Sequence, residues 1–275
     1  MNEMHITQLL HRIASRIEKT VSSIRGYQRS FIAGFEFRLA PESSCFGSVF
    51  DATEELTGLD FVRWTDHVQL QMFVKRLKML DAPTVVDVGA HHGLYALLAG
   101  AFCQKQKRGR VLAFEPVTNN FDILQKNIAL NNLEQWITPI RKAIGEYCQK
   151  VQISISGSQS KISASNSINA ELVEQVDISS ELLGDIKHID ILIIDVEGAE
   201  LPVLRGFPWE RIDVSYIFCE FHPYAWKDFE YTADDMTAFL KLRGFQAFDM
   251  FQEDQTTCRS EYYIGPTLFR RATIE

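Results

Sequence analysis

The chain has 275 residues, 46% of them hydrophobic and 23% charged, with a net charge of −8. That length and apolar content suit one sizeable domain with a large core and an N-terminal extension, and exclude wholesale disorder. The acidic balance argues against a general nucleic-acid binder, which needs a basic surface.

In chain order, Ile6, Leu9, Leu10, Ile13, Ile17, Val21 and Ile24 recur at helical spacing, so the first 25 residues read as an amphipathic helix. It also carries Arg12, Arg16, Lys19 and Arg25. We read it as packing on the body or on a second subunit of a homodimer, with peripheral membrane contact as the alternative. Residues 1–60 are thus a helical and irregular extension, in which Phe35–Leu39 is a short β-like run, and 61–275 form the main domain. A helical pattern covers Phe61–Leu80. An α/β alternation follows: strand Thr84–Val88, helix Leu94–Cys103, strand Arg110–Glu115, helix Phe121–Leu130 and strand Trp136–Ile140. Seven serines in Ser154–Ser167 break the alternation and predict a flexible loop, or one that closes over substrate. Ile189–Asp195 is the most apolar strand and fits the sheet centre. Strand Val214–Glu220, helix Thr232–Leu242 with a capping-box start at Thr232 and Asp235, and strands Phe245–Phe251 and Tyr262–Arg270 close the chain. Strands separated by helices predict a doubly wound α/β fold with a largely parallel sheet.

Cys45, Cys103, Cys148, Cys219 and Cys258 are scattered and never in CxxC spacing. Free thiols in a reducing cytoplasm are expected, rather than a zinc site or disulfides. No apolar run reaches the roughly 18 residues of a membrane span, and the N-terminus does not read as a signal peptide. A cytoplasmic location is therefore expected.

Four motifs carry chemistry. In Val85-Val86-Asp87-Val88-Gly89-Ala90-His91-His92-Gly93 an apolar strand ends in an acid, turns on Gly89 and enters a helix at Gly93. The free N–H groups of that helix start suit a carboxylate or phosphate. The spacing is Gly-x-x-x-Gly, not the Gly-x-Gly-x-x-Gly of dinucleotide folds, which weighs against a nicotinamide-dependent dehydrogenase. Of the adjacent histidines, His91 is assigned to the ligand and His92 to solvent. Glu115 ends the next strand, about 20 to 30 residues further on, where a ribose-binding acid belongs. Asp195 and Glu197 stand at the carboxyl end of the central strand, where open α/β sheets bind ligands; Glu200 reads more simply as an acid of a helix first turn. His222, after the following strand, is a candidate general base. A metal site from His222, Asp195 and Glu197 is conceivable, but no ligand spacing requires one and none is expected.

Taken together, VVDVGAHHGLYALLAG, VLAFEPVTNNFDILQKNIALNN, RKAIG, Asp177 in VDISSELL, IDVEGAELPVLRGF and EFHP resemble the FkbM family of methyltransferases, from about Pro83 to Gly244. The resemblance implies a Rossmann-like sheet of seven strands with an antiparallel last strand and helices on both faces. It also implies S-adenosylmethionine as cofactor and O-methylation of a small-molecule or glycan hydroxyl. By that resemblance Asp87, Gly89 and Gly93 line the methionine part, Glu115 holds the ribose, the turn from Ala143 to Glu146 lies near adenine, and Asp195, Glu197 and His222 face the acceptor. His91 and His92 stand where Asn and an apolar residue are usual, and Ile193 where Lys is usual. The alternative to catalysis is an interaction module that keeps the cofactor pocket. An RNA or DNA methyltransferase is disfavoured by the acidic charge and by the lack of an Asn-Pro-Pro-Tyr type motif.

Overall fold

The computed structural model describes residues 26–43, 61–156, 159–162, 170–178, 183–248 and 265–271. The expected N-terminal amphipathic helix lies outside them. The chain enters through an antiparallel hairpin of β1 (Gln28–Ile32) and β2 (Phe35–Leu39). After α1 (Phe61–Met79), two βα steps and a third strand follow: β3 (Thr84–Val88), α2 (Leu94–Gln106), β4 (Arg110–Phe114), α3 (Thr118–Leu130) and β5 (Ile137–Ile140). The excursion β6 (Ala143–Ile144), β7 (Gln149–Ser156), β8 (Gln159–Ile162) and β9 (Ala170–Val176) comes next. Then come β10 (His188–Ile194), α4 (Glu200–Arg205), β11 (Asp213–Phe221), α5 (Pro223–Trp226), α6 (Ala233–Lys241), β12 (Phe245–Phe248) and β13 (Gly265–Arg271).

The main sheet runs β12-β13-β11-β10-β3-β4-β5. Its five strands β5, β4, β3, β10 and β11 are parallel, and β13 pairs antiparallel with both β11 and β12. From β3 the chain steps outward through β4 to β5, then returns to β10 on the other side of β3. The order therefore reverses between β3 and β10, and the carboxyl ends of those two strands flank the crevice where such sheets bind ligands.

Both faces of the sheet are covered, which explains the unbroken apolar run of β10. Ile191 and Ile193 enter one core layer with Phe73, Leu97 and Phe218, while Leu192 and Ile194 enter the other with Leu201, Met236 and Leu240. Ile193 is fully buried. α2 is apolar on nearly every side and is buried from Ala96 to Cys103. The capping box forms at α6: the Asp235 N–H donates to Thr232 Oγ1 at 3.3 Å and the Thr232 N–H donates to Asp235 Oδ2 at 2.8 Å. Cys103, Cys148 and Cys219 are free thiols. Among the described residues no helix is long and apolar enough to cross a membrane.

The serine-rich stretch is not a plain loop. Its first residues end β7, and 159–162 form β8, an antiparallel pair within a four-stranded sheet ordered β6-β9-β7-β8. Residues 157–158 and 163–167 lie outside the described residues. Val151 and Ile153 alternate with Gln152 and Ser154, so the apolar pair faces Val117, Ala143 and Val173 in a small core of its own. That period of two overrides the turn-forming bias of the serines.

The hairpin joins the same body. Ile32, Phe37 and Leu39 are buried in the core, and Phe35 meets the edge of Phe102 with ring centroids 5.0 Å apart. Its fastener is Asn127 of α3, which is fully buried. Asn127 Oδ1 accepts the Ala40 N–H at 2.7 Å, and Nδ2 donates to the His92 carbonyl at 2.8 Å and to Ser43 Oγ at 3.2 Å. Asn127→Ala removes three buried hydrogen bonds and is expected to cost about 3 kcal/mol, a fall in Tm of about 10 °C. A melt within about 1 °C of wild type would show that the hairpin is held by its apolar contacts alone.

Candidate active site

Three strand ends meet at one turn. The Gly89 and Ala90 N–H groups both donate to the Phe114 carbonyl, at 3.0 and 2.9 Å, and the Asp195 N–H donates to the Val88 carbonyl at 2.9 Å. Gly89 has φ +91°, and a Cβ there would lie 1.7 Å from the Asp195 carbonyl oxygen. No other residue fits between β3 and β10. Gly93, at φ +96°, starts α2. Asp87 lies behind this turn, 1% exposed, and accepts a hydrogen bond from the Ala96 amide in the first turn of α2. Its Oδ2 has no partner among the described residues. Burial, opposed by the Ala96 bond and reinforced by the charge of Glu115, lifts its carboxyl to about 7.

In front of the turn opens a cavity of about 510 Å³. Gly89, His91 and Glu115 line its floor, Ala143 and Ile144 one wall, and Ile153 of the small sheet its far side. Glu115 is 4% exposed. It accepts the His91 N–H at 2.8 Å, the Val117 N–H at 2.9 Å and Asn120 Nδ2 at 3.4 Å. Burial outweighs these donors and lifts its carboxyl to about 7. The His91 ring lines the cavity and stacks on the His92 ring, centroids 3.8 Å apart. His92 is not solvated as expected: it is 4% exposed and hydrogen-bonded with Asn120. Burial first, and His91 second, lower His92 to about 4; burial also lowers His91. Both rings are therefore neutral at pH 7. The reason is local: His91 takes φ +50°, which turns the pair inward over Glu115 rather than splaying them.

The opposite rim is acidic. Asp195 and Glu197 line the cavity from the end of β10, and Glu197 accepts a short hydrogen bond from the Tyr224 hydroxyl. Behind them His222 presents Nε2 to three carboxylates: 3.8 Å from Asp195 Oδ1, 3.7 Å from Glu197 Oε2 and 3.7 Å from Glu220 Oε1. Its Nδ1 is 2.7 Å from Glu200 Oε1. Glu200 does open α4, but it is no ordinary surface acid. It is fully buried and accepts from the Gly198 N–H, Trp226 Nε1 and the Tyr231 hydroxyl. Burial alone would lower His222, but the Glu200 hydrogen bond and the charges of Asp195, Glu200 and Glu197 carry it up to about 9. Asp195 is held above the usual carboxylate range by desolvation and then by Glu220.

Of the residues singled out in the sequence, Gly89, His91, Glu115, Ala143, Asp195 and Glu197 line one cavity. Asp87 and Gly93 sit behind the turn, and His222 sits behind the acidic rim. Sequence reasoning missed Glu220 and the buried role of Glu200. The available signal for Glu200 was a pair of aromatics with polar tips, Trp226 and Tyr231, a short way beyond His222. The site can seat a polar, nucleoside-sized molecule against a buried carboxylate, with a second acidic group facing whatever lies beside it.

The model of the methyltransferase FkbM domain matches residues 87–247. The chain is similar to methyltransferase sdnD of Sordaria araneosa, 26% identical over 167 residues, covering 47% of this chain and 63% of that protein. It is similar to methyltransferase 1 of Beauveria bassiana, 29% identical over 160 residues, with 48% and 63% covered. It is also similar to the hexuronic acid methyltransferase AglP of Haloferax volcanii, 22% identical over 224 residues, with 80% and 84% covered. The chain thus spans less than two thirds of the length of the first two relatives.

Proposed function

The chain belongs to the FkbM methyltransferase family, and from that premise we propose that it is an S-adenosylmethionine-dependent O-methyltransferase acting on a hydroxyl of a sugar, glycan or other natural product. The observation that carries this reading is the cavity of about 510 Å³ at the strand-order reversal, with a buried carboxylate on its floor and a separate pair of carboxylates on its rim.

The residues fit the cofactor. Glu115 is a desolvated acceptor that suits a pair of ribose hydroxyls. Ala143 and Ile144 offer a buried apolar wall for a base. The Gly89–Gly93 turn keeps side chains out of the path to the start of α2, where amides favour a carboxylate tail; His91 gives that turn a neutral flank, and Asp87 braces it from behind. When bound, the cofactor supplies an already activated methyl group, so the chain's task is alignment, exclusion of water and handling of one proton. Asp195 is the group we assign to the acceptor hydroxyl's proton, with Glu197 orienting that hydroxyl. Clamped by Glu200, His222 holds the two carboxylates in register. The hexuronic acid named for one relative supports a sugar acceptor.

The test is calorimetric titration with S-adenosylhomocysteine, followed by methyl-transfer assays on uronic acids and glycans. Asp195→Asn keeps the side-chain shape and is expected to lower kcat by about 100-fold or more. Affinity for S-adenosylhomocysteine should stay within about twofold. Full turnover in the variant would remove Asp195 from the reaction, and no binding by the wild type would sink the proposal.

A further inference from the structure

We propose that Asp195, Glu220 and His222 form a binding site for one divalent cation of the first transition row, at the rim of the cavity. One oxygen from each acid and one nitrogen of His222 lie within 4.8 Å of one another. The imidazole is the informative member. Its side chain is 5% exposed, and Nδ1 is fixed by Glu200 at 2.7 Å. Glu200 is in turn held by Gly198, Trp226 and Tyr231. The Glu200 carboxylate behind Nδ1 fixes the ring and aims Nε2 forward, so that a cation displacing the Nε2 proton meets a nitrogen already in place, the arrangement that supports metal-ligating histidines.

Forward of Nε2 there is no hydrogen bond among the described residues. The facing oxygens stand 3.7 and 3.8 Å away, beyond hydrogen-bond reach. That spacing is too long for direct pairing but suits atoms around a shared centre: two ligands bonded at about 2.1 Å lie about 3.0–3.8 Å apart for angles of about 90–130°. Nε2 therefore faces a group of converging carboxylate oxygens at ion-pair distance, with room between them for a shared cation in place of its proton. No lysine or arginine pairs with Asp195 or Glu197 among the described residues, so His222 is their counter-charge, and a divalent ion displacing its proton would balance more of the crowded charge.

One imidazole and two carboxylates suit Mn²⁺, Fe²⁺ or Zn²⁺ better than Ca²⁺, which takes oxygen ligands alone. Asp195 lines the cavity, so positions left open on the ion would face it. That those positions receive an oxygen of the methyl acceptor rests on the methyltransferase reading; the cation binding itself does not.

The experiment is titration of the metal-stripped full chain with Mn²⁺, followed by electron paramagnetic resonance, and with Zn²⁺, followed by calorimetry. One equivalent is expected to bind. Asp195→Asn combined with Glu220→Gln should weaken it more than about 100-fold, with the fold checked by circular dichroism. Asp185→Asn, an exposed acid paired with Arg110, should leave it unchanged. A nitrogen coupling in the Mn²⁺ spectrum that disappears in His222→Ala would identify the imidazole. Absence of saturable binding at millimolar metal, or unchanged binding in the double variant, would overturn the site. Titration of the same samples with S-adenosylhomocysteine keeps the two readings apart. S-adenosylhomocysteine binding without metal binding sinks only the cation site, and metal binding without S-adenosylhomocysteine binding sinks only the methyltransferase reading.

Discussion

Replacing Gly89 with Ala is expected to abolish S-adenosylhomocysteine binding and to destabilise the protein by more than about 3 kcal/mol. The added Cβ would lie 1.7 Å from the Asp195 carbonyl oxygen and 2.8 Å from its carbon, both backbone atoms. They cannot swing aside as a side chain would. β3 and β10 are in fixed register here, with Val88 opposite Ile194 and the Asp195 N–H on the Val88 carbonyl. One strand end must therefore shift by an ångström or more, carrying the cavity floor or the acidic rim with it. A matched comparison separates this clash from backbone preference. Gly34, in the hairpin turn, has φ +84° and nothing within 4 Å of its would-be Cβ. Gly34→Ala should cost only about 1 kcal/mol and leave binding intact. If Gly89→Ala bound S-adenosylhomocysteine as wild type does, the close approach of the two strands would not be what shapes the site.

The same contrast between local and distant constraints decided what the sequence could reveal. β3, α2 and β4 are legible because each element's pattern is local: an apolar run for a strand covered on both faces, an Ala-rich helix buried all round, a glycine at the turn between them. Glu115 is legible because its place follows from those elements by counting. Asp87 was half legible. Strand alternation sets it opposite Val86 and Val88, hence toward α2, yet its position in an acid-glycine motif drew it toward the ligand. The His222 cluster was the least legible part. It depends on Glu200 being buried under Trp226 and Tyr231, and nothing in the spacing of EGAE announces that burial. The strands of the serine-rich segment were visible in the alternation of Val151 and Ile153 with Gln152 and Ser154, but serine count masked the period.

Affinity for S-adenosylhomocysteine is expected to fall about tenfold for each pH unit below about 7, and to level off above it. The cause is Glu115, whose carboxyl is raised to about 7 by burial. Two ribose hydroxyls can both donate only to the carboxylate, so below that pH binding must first expel a proton. Stability of the free protein should run the other way. The folded-state pKa of Glu115 lies above its unfolded value near 4.5, so the folded protein holds the proton more tightly between those values. The favourable contribution of the protonated group is present at low pH and fades as pH rises toward about 7, by about 3 kcal/mol at most. Asp87, also raised to about 7, adds a slope of the same sign. His92, lowered to about 4, adds the opposite slope between that value and its usual 6.5, because charging it disfavours the fold. The difference between wild type and Glu115→Gln cancels both backgrounds. That variant cannot titrate here, so its affinity should be flat from pH 6 to 8 and about 10- to 100-fold weaker at pH 8. A parallel pH dependence in wild type and variant would assign the proton elsewhere. Equal affinity at pH 8 would take the ribose away from Glu115 and leave the cavity floor without its carboxylate partner for the ligand.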